Sequence, residues 1–217
     1  SGEIIAIVGV EGSGGRELIR SLAGVEKASG RILIDNEEVE PKNSGFAFVS
    51  ANREFSIFAN LTLGENLVIR HGSSISNKIG WLSSKNSKVL ASESKVQYTI
   101  KSDSLDLNVK SLSGGNQQKV AIASALSTMP ILALLEEPTR GVDMSSKADI
   151  YTLLKEHAKG KSAVVILCTE ESEVYDVADR ACVMHLGELV GEIDISACTD
   201  LEDLARKISK LTHKESK

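Results

Sequence analysis

Residues 4–16 read IIAIVGVEGSGGR, an apolar run that passes directly into a glycine-rich segment. The apolar run is Ile4–Val8, and Gly9 follows it directly. A short continuous apolar run that ends at glycine is typical of a buried β-strand. The pattern over Glu17–Ala23 that follows is helical, with apolar and charged residues on opposite faces. A strand, a tight turn and a helix in this order indicate the first unit of an α/β fold.

The rest of the chain repeats this alternation. Further strands are predicted at Arg31–Asp35, Phe46–Val49, Ile131–Leu135, Ala163–Cys168 and Cys182–Leu186, and further helices at Ser146–His157 and Glu171–Ala178. Alternating strands and helices predict a mostly parallel sheet flanked by helices.

Two tetrapeptides have the form of a capping box, in which a Thr and a Glu satisfy free N–H groups at a helix start. They are Thr62–Glu65 and Thr199–Glu202, and an amphipathic helix is expected after the second. The segment Gly72–Ser94, which holds the lone Trp81, is only weakly periodic, so we predict no helix boundaries within it.

Composition narrows the class of protein. The chain has 217 residues and a formal charge of −5, which fits one domain and argues against nucleic acid as the main partner. Its longest apolar runs are far below the ~20 residues that span a bilayer, and no signal peptide opens it, so we expect a soluble, cytoplasmic protein. The three cysteines lack ligand spacing, and Cys168 is expected to be a buried apolar residue.

The glycine-rich segment has the context of a phosphate-binding loop, since it follows a strand and precedes a helix. Backbone N–H groups in such a loop surround phosphate, and the helix N-terminus adds partial positive charge. The pattern then requires Lys at position 15 and Ser or Thr at position 16, but the chain has Gly15 and Arg16. The candidate phosphate-binding residues are Gly9, Gly12, Ser13, Gly14, Gly15 and Arg16.

Two interpretations of this loop remain open. Arg16 stands one residue late, where a side chain points about 100° further round the helix than the motif Lys, and Glu11 adds negative charge. The loop is therefore either a turn that maintains the fold and binds nothing tightly, or a backbone cradle that binds nucleotide weakly.

A second informative stretch is LSGGNQQKV at residues 112–120, and EPTRGVD begins seventeen residues after Val120. Ser113 can cap the helix that follows, and Gly114 and Gly115 allow a ligand to approach the backbone closely. Exposed N–H groups, the helix dipole and the Ser hydroxyl would together receive a phosphate.

These two blocks at this separation resemble the signature sequence and the Walker B/D-loop of an ATP-binding cassette (ABC) domain. The chain resembles the second, C-terminal cassette of the simple-sugar importers of the ribose, galactose and xylose type, in which two cassettes share one polypeptide. The matching stretches are Gly12–Leu18, Leu112–Ala123, Glu137–Asp143 and Asp179–Glu192.

The resemblance implies a P-loop NTPase-like fold in which residues 1–217 form one nucleotide-binding domain. A helical subdomain is expected at approximately 52–111, with the signature at its end. The upstream strands and the aromatic loop that stacks on adenine are missing, which suggests a fragment of a longer polypeptide.

The resemblance also assigns the catalytic positions. Glu136 replaces the Asp that orients Mg²⁺ and is a weak metal candidate, while Glu137 retains the general-base position. Thr169 stands where the family has its switch His, and Ala51 stands where it has the Q-loop Gln. Asn52 and Arg53 are the neighbours that could substitute for that Gln, although nothing in the sequence favours either. With the Lys and the Ser/Thr also absent, the chain's own site is expected to be weak or inactive.

The signature acts in trans in this family. Ser113, Gly114 and Gly115 would cap the ATP and Mg²⁺ of a partner, with Gln117 nearby and Asp143 at the dimer seam. The implied partners are a second cassette, in the same polypeptide or a homologous chain, and a membrane permease contacted by residues 50–105. The resemblance therefore implies a peripheral position on the inner face of the cell membrane.

Two alternatives remain. The chain could be an autonomous ATPase that uses Glu137 with an altered phosphate loop. It could also be a soluble ABC protein of DNA repair or translation, although residues 52–111 are too short and lack heptads for a repair-type coiled coil, and the acidic charge disfavours ribosome binding.

Overall fold

A computed structural model describes residues 2–34, 36–41, 45–72, 83–160 and 162–213, so Trp81 and Asp35 lie outside the described residues. The strands are β1 Ile4–Val8, β2 Ile32–Ile34, β3 Glu37–Val39, β4 Phe46–Val49, β5 Leu132–Glu136, β6 Ala163–Cys168, β7 Arg180–His185 and β8 Glu188–Asp194. The helices are α1 Gly15–Leu22, α2 Leu63–Val68, α3 Ser84–Gln97, α4 Gly114–Leu126, α5 Met144–Lys159, α6 Glu171–Val177 and α7 Leu201–His213.

Six strands form one sheet in the order β4-β5-β6-β1-β7-β8. The pairs β5/β6, β6/β1 and β1/β7 are parallel, and β8 returns antiparallel to β7. The mostly parallel sheet with flanking helices that the sequence predicts is therefore confirmed. The short strands β2 and β3 form a separate antiparallel pair.

The chain divides into two compact units. The first comprises residues 1–48, 131–138 and 154–217, and the second comprises residues 49–130 and 139–153. The first unit carries the strands of the large sheet together with α1, α6 and α7. The second carries α2, α3, α4 and the first part of α5, and it includes the described part of segment 52–111.

The core of the first unit lies between α1 and the sheet. It is built from the buried side chains Ile7, Ile19, Leu134, Leu167 and Met184. Complete burial of one such side chain contributes about 1.5–3 kcal/mol. This cluster holds α1 against the sheet and so positions the loop that precedes α1.

In the second unit, the capping box predicted at Thr62 is confirmed. The Thr62 hydroxyl accepts from the Glu65 amide at 3.2 Å, and the Glu65 carboxylate accepts from the Thr62 amide at 2.8 Å. The bond from the Thr62 amide, and a second from the Thr62 hydroxyl at 2.9 Å, hold the pKa of the Glu65 carboxyl below its ordinary value. The buried Asn66 bonds both backbone groups of Phe58, which fastens the preceding segment to α2.

The second predicted capping box is wrong by one residue. Asp200, not Thr199, caps α7, because its carboxylate accepts from the Asp203 amide at 2.8 Å. The Asp203 carboxylate, rather than that of Glu202, reaches back to the Thr199 amide at 3.4 Å. Asp200 thus makes the forward bond of a capping box, while the return bond goes to the amide of Thr199, one residue before the cap.

Strand β8 and helix α3 are elements that the sequence left unassigned. Strand β8 is largely exposed and mixes charged with apolar residues, so it lacks the continuous apolar run by which the other strands were recognised. Helix α3 buries only Ala91 and Ser94, which gives it almost no periodic signal.

The described residues contain no disulfide bond, and Cys168 is buried on β6 as expected. Among the described residues, no group of three or more His, Cys, Asp or Glu side chains could hold a metal ion. Across the same residues, no helix is long and apolar enough to cross a membrane.

Candidate nucleotide-binding site

The candidate phosphate loop joins β1 to α1 in the first unit. The Ser13 amide donates to the Val10 carbonyl at 2.9 Å and closes the turn. Gly12 and Gly14 have φ of +80° and +96°, a region that favours glycine, and Gly14 is the N-cap of α1. The sequence therefore forms the strand, turn and helix that a phosphate loop requires.

This loop packs tightly against β7 and the turn that follows it. A Cβ on Gly9 would lie 2.4 Å from the Met184 carbonyl oxygen, so only glycine fits there. The Gly187 amide donates to the carbonyl of Ser13, a buried residue, at 2.9 Å. The loop thus keeps a defined shape through contacts that involve no nucleotide.

Gly15, at the position of the motif lysine, faces the core. A Cβ on Gly15 would lie 3.0 Å from Ile7 Cγ2 and 3.1 Å from Leu167 Cδ1. These neighbours would have to move by a few tenths of an ångström to accept any side chain. The position is therefore closely packed as well as uncharged.

Arg16 points to the carboxylates at the end of β5. Its Nε lies 3.0 Å from Glu136 Oε1, and its Nη2 pairs with Glu137 Oε1. Both glutamates are almost completely buried, with 0 % and 6 % of their surface exposed. The side chain that could have turned toward phosphate instead neutralises buried negative charge.

Arg20 completes the cluster, and it is a residue that the sequence reasoning missed. It lies one helical turn after Arg16, and its Nη2 is 3.0 Å from Glu136 Oε1. Burial lowers the pKa of Arg20, but the attraction of Glu136 outweighs burial and raises it above the ordinary value. The spacing of four residues between two arginines on α1 was the available signal.

The backbone of Glu137 is unusual for its residue type. Its φ is +45°, a conformation that non-glycine residues rarely adopt, and its amide donates to the Leu167 carbonyl at 3.0 Å. Thr169 lies exposed just after β6, at the same edge of the sheet as Glu136 and Glu137. The predicted base position and switch position therefore occupy the ends of neighbouring parallel strands.

The family implies Mg²⁺ at this edge, and we tested whether the residues fit it. Mg²⁺ requires near-octahedral oxygen ligands, and the motif hydroxyl that would provide one is replaced by Arg16. Glu136 and Glu137 both accept guanidinium N–H groups in the place where a divalent ion would bind. In this arrangement the residues present do not fit the metal.

The signature residues lie at the start of α4 in the second unit. Ser113 is the N-cap, with its hydroxyl accepting from the Asn116 amide at 3.4 Å and from the Asn116 side chain at 3.0 Å. Gly114 and Gly115 form the first residues of α4. Gln117 turns back and donates to the Leu112 carbonyl at 2.9 Å, which ties α4 to the preceding loop.

Asp143 lies beside the signature. It caps α5 by accepting from the Ser146 amide at 3.0 Å and from the Ser146 hydroxyl at 2.8 Å, and these bonds lower its pKa. A Cβ on Gly115 would lie 2.3 Å from Ser146 Oγ and 3.2 Å from Asp143 Oδ2. The structure thus brings two of the sequence-predicted residues, Gly115 and Asp143, into direct proximity.

Arg53 also contacts the signature. Its Nη1 donates to the Gly114 carbonyl at 2.8 Å, and a Cβ on Gly114 would lie 2.6 Å from that nitrogen. From sequence, Arg53 was considered only as a possible substitute for the Q-loop Gln, whose position is occupied by Ala51. The pairing of Arg53 with a backbone carbonyl 61 residues away has no local sequence signal.

Comparisons with known proteins identify the family of this chain. A family model described as "ABC transporter" matches residues 1–140. The ribose import ATP-binding protein RbsA of Oceanobacillus iheyensis is 34% identical over 200 residues, which cover 88% of this chain and 40% of that protein. The galactose/methyl galactoside import ATP-binding protein MglA of Pasteurella multocida is 35% identical over 219 residues, covering 96% of this chain and 43% of that protein. The chain thus spans about 40% of the length of the curated relatives it matches.

Solved structures share the fold. The dimeric bacterial ABC transporter cassette MJ0796 has a TM-score of 0.74 at 24% identity, covering 89% of this chain and 86% of that one. The protein cbiO1 from Clostridium perfringens, part of the ABC transporter complex cbiONQ, has a TM-score of 0.73 at 24% identity, covering 96% of this chain and 81% of that one.

Proposed function

The chain belongs to the ABC transporter family, and from that membership we propose that it is an ATP-binding cassette of an importer for a small sugar. Within the importer it acts mainly through its signature, which completes the nucleotide site of a partner cassette. The names of its relatives, at 34–35% identity over most of this chain, support the sugar class.

The chain's own phosphate loop contributes little to hydrolysis in this proposal. Gly15 and Arg16 remove the ammonium and the hydroxyl that such a loop uses for phosphate and Mg²⁺. The carboxylates that should serve Mg²⁺ and the attacking water accept guanidinium groups instead. The contrast between these ion-paired carboxylates and the exposed Ser113 of the signature is the observation that carries the proposal.

The signature end of α4 has the chemistry to receive a phosphate. The N–H groups of its first turn and the helix dipole favour negative charge, and the Ser113 cap that precedes them is exposed. The partner cassette holds ATP and Mg²⁺, and the Ser113 hydroxyl and these N–H groups stabilise charge on the terminal phosphate. Asp143, beside Gly115, lies at the seam between the two cassettes.

The membrane permease is the other proposed partner, contacted through residues 50–105. Phe55 and Phe58 are 81% and 51% exposed in this segment, and two neighbouring exposed aromatic side chains are typical of a protein-binding surface. This contact would place the chain on the inner face of the cell membrane.

A calorimetric titration of Mg·ATP into the 217-residue chain tests the proposal that its own phosphate loop contributes little to nucleotide binding. We expect a Kd weaker than about 1 mM, which corresponds to less than ~4 kcal/mol of binding free energy. Micromolar binding would overturn the proposal in favour of an autonomous ATPase that uses Glu137. In that case Glu137→Gln should abolish hydrolysis by the isolated chain.

A further inference from the structure

We infer that the guanidinium of Arg16 is a permanent cation of this chain's own site, fixed on Glu136 and Glu137 in place of a divalent metal. The inference deepens the proposed function, on which it rests for the identity of the site. It assigns Arg16 a structural task at a position where the phosphate-loop motif has a metal-binding hydroxyl.

The first argument is position. Arg16 is the residue that directly follows the motif lysine position, and in P-loop proteins the Ser or Thr at this point binds Mg²⁺. Its guanidinium reaches Glu136 at the metal position, with Nε 3.0 Å from Oε1, and Glu137 at the general-base position, with Nη2 on Oε1. One group therefore takes the place of both the hydroxyl and the ion.

The second argument is charge. Ionised carboxylates as deeply buried as Glu136 and Glu137 require a counter-charge, because removal from water is costly for an unpaired ion. Arg20 contacts Glu136, while Arg16 contacts both glutamates. Both buried carboxylates thus have a guanidinium partner without a metal, although Arg20 is shared with the exposed Glu26, whose Oε1 lies 3.4 Å from its Nη1.

The third argument is space. Gly15 packs against Ile7 and Leu167 so closely that a side chain at this position requires those neighbours to move. Glu137 keeps its left-handed backbone, with its amide bonded to Leu167, while its carboxylate accepts from Arg16. The loop, the start of α1 and the end of β5 are therefore joined by Arg16 itself, and a divalent ion could enter only by displacing it.

Thermal unfolding of the full 217-residue chain, without nucleotide and with 0 or ~10 mM MgCl₂, tests this inference. We expect Arg16→Gln to lower Tm by about 4 °C or more, since it leaves a buried carboxylate with less counter-charge. Mg²⁺ should restore at least half of that loss in the variant and leave the wild-type Tm unchanged. Adding Glu137→Gln to Arg16→Gln should remove the restoration.

Two further variants keep the test decisive. Arg31→Gln removes an exposed arginine of the same unit and should change neither Tm nor the response to Mg²⁺. Arg16→Lys keeps the positive charge, so it should fold and show no Mg²⁺ response even where Arg16→Gln is too unstable to purify. The inference is overturned if Arg16→Gln behaves like Arg31→Gln, or if Mg²⁺ stabilises the wild type or Arg16→Lys.

Failure here would leave the proposed function intact, provided that the wild type still binds no Mg·ATP. Micromolar Mg·ATP binding by the wild type would instead contradict the proposed function, whatever the Tm of the Arg16 variants.

Discussion

At the scale of single residues, one step along α1 changes what a positive charge can reach. A side chain one position later on a helix points about 100° away from its predecessor. Arg16 therefore reaches the end of β5, whereas a cation at position 15 would point toward the loop and the core. With the arginine at position 15 and the glycine at position 16, the positive charge would therefore meet different partners.

Gly115 offers a prediction at this scale. We expect Gly115→Ala to destabilise the chain by about 1–3 kcal/mol, because the new methyl group would lie 2.3 Å from Ser146 Oγ and force the Asp143 cap apart. Urea unfolding measures the loss. Gly72→Ala, a helical glycine of the same unit with nothing within 4 Å of its Cβ, is the control and should be neutral or slightly stabilising. Equal effects of the two substitutions would contradict the packing argument.

His157 offers a second prediction, on pH. It is half-buried near the end of α5, where burial lowers its pKa, and its Nε2 has no hydrogen-bond partner among the described residues. The unfolded chain then binds a proton more readily than the folded chain, so His157 makes stability fall as pH drops below about 6.5. Between pH 7.5 and 5.5, His157→Gln should lose less unfolding free energy than the wild type does. The exposed His213, replaced in the same way, should leave the pH dependence unchanged, and a wild-type slope in His157→Gln would refute the assignment.

At the scale of elements, α4 combines a ligand-binding end with a buried body. Residues 118–126 are all buried, so the helix cannot shift without disturbing the core of the second unit. Its start is fastened separately, by the Ser113 cap, by Gln117 on Leu112 and by Arg53 on Gly114. An element anchored in this way keeps its N–H groups oriented, which a phosphate receptor requires.

The buried Lys119 of α4 leads to a third prediction. Its ammonium group, 3% exposed, pairs with the 40% exposed carboxylate of Asp149 on α5 and donates to the Thr99 carbonyl at 3.3 Å. Asp149→Ala should cost about 2–3 kcal/mol because it leaves a buried charge unpaired, whereas Lys119→Met should cost about 1 kcal/mol or less because water can solvate the remaining carboxylate. Denaturant unfolding of both variants checks the order. A greater loss for Lys119→Met would show that packing by the lysine stem outweighs its charge.

At the scale of the whole molecule, the phosphate loop and the signature differ in whether their polar groups are already paired within the chain. The first unit holds the phosphate loop with its ion-paired carboxylates, and the second holds the signature with its exposed cap. The chain also spans only about 40% of the length of the curated relatives it matches. Under the proposed function, the exposed signature acts on the nucleotide of a second cassette in an assembly.

The fourth prediction concerns that assembly. Ser113→Arg should reduce the ATPase activity of the assembled transporter by at least about 100-fold, because it removes one hydroxyl from the phosphate receptor and blocks access to the first turn of α4. Steady-state phosphate release measures the effect. The matched control is Ser209→Arg, which changes an exposed serine of α7, outside both the signature and segment 50–105, and should retain activity. Retained activity in Ser113→Arg would exclude a role for the signature in trans.

The sequence by itself determined the local structure and the family. Strands β1, β4 and β6 begin and end at the predicted residues, and the Thr62 cap forms as expected, because periodicity and capping depend on neighbours within a few positions. The same locality explains the misses: β8 is exposed and α3 buries little, so neither has a strong periodic pattern. Only the tertiary structure decided that Arg16 binds Glu137, Arg20 binds Glu136 and Arg53 binds Gly114, since these partners lie between 61 and 121 residues away. Such contacts exist only after the sheet has brought the ends of its strands together, because a long side chain can reach whatever acceptor folding places within a few ångströms of it.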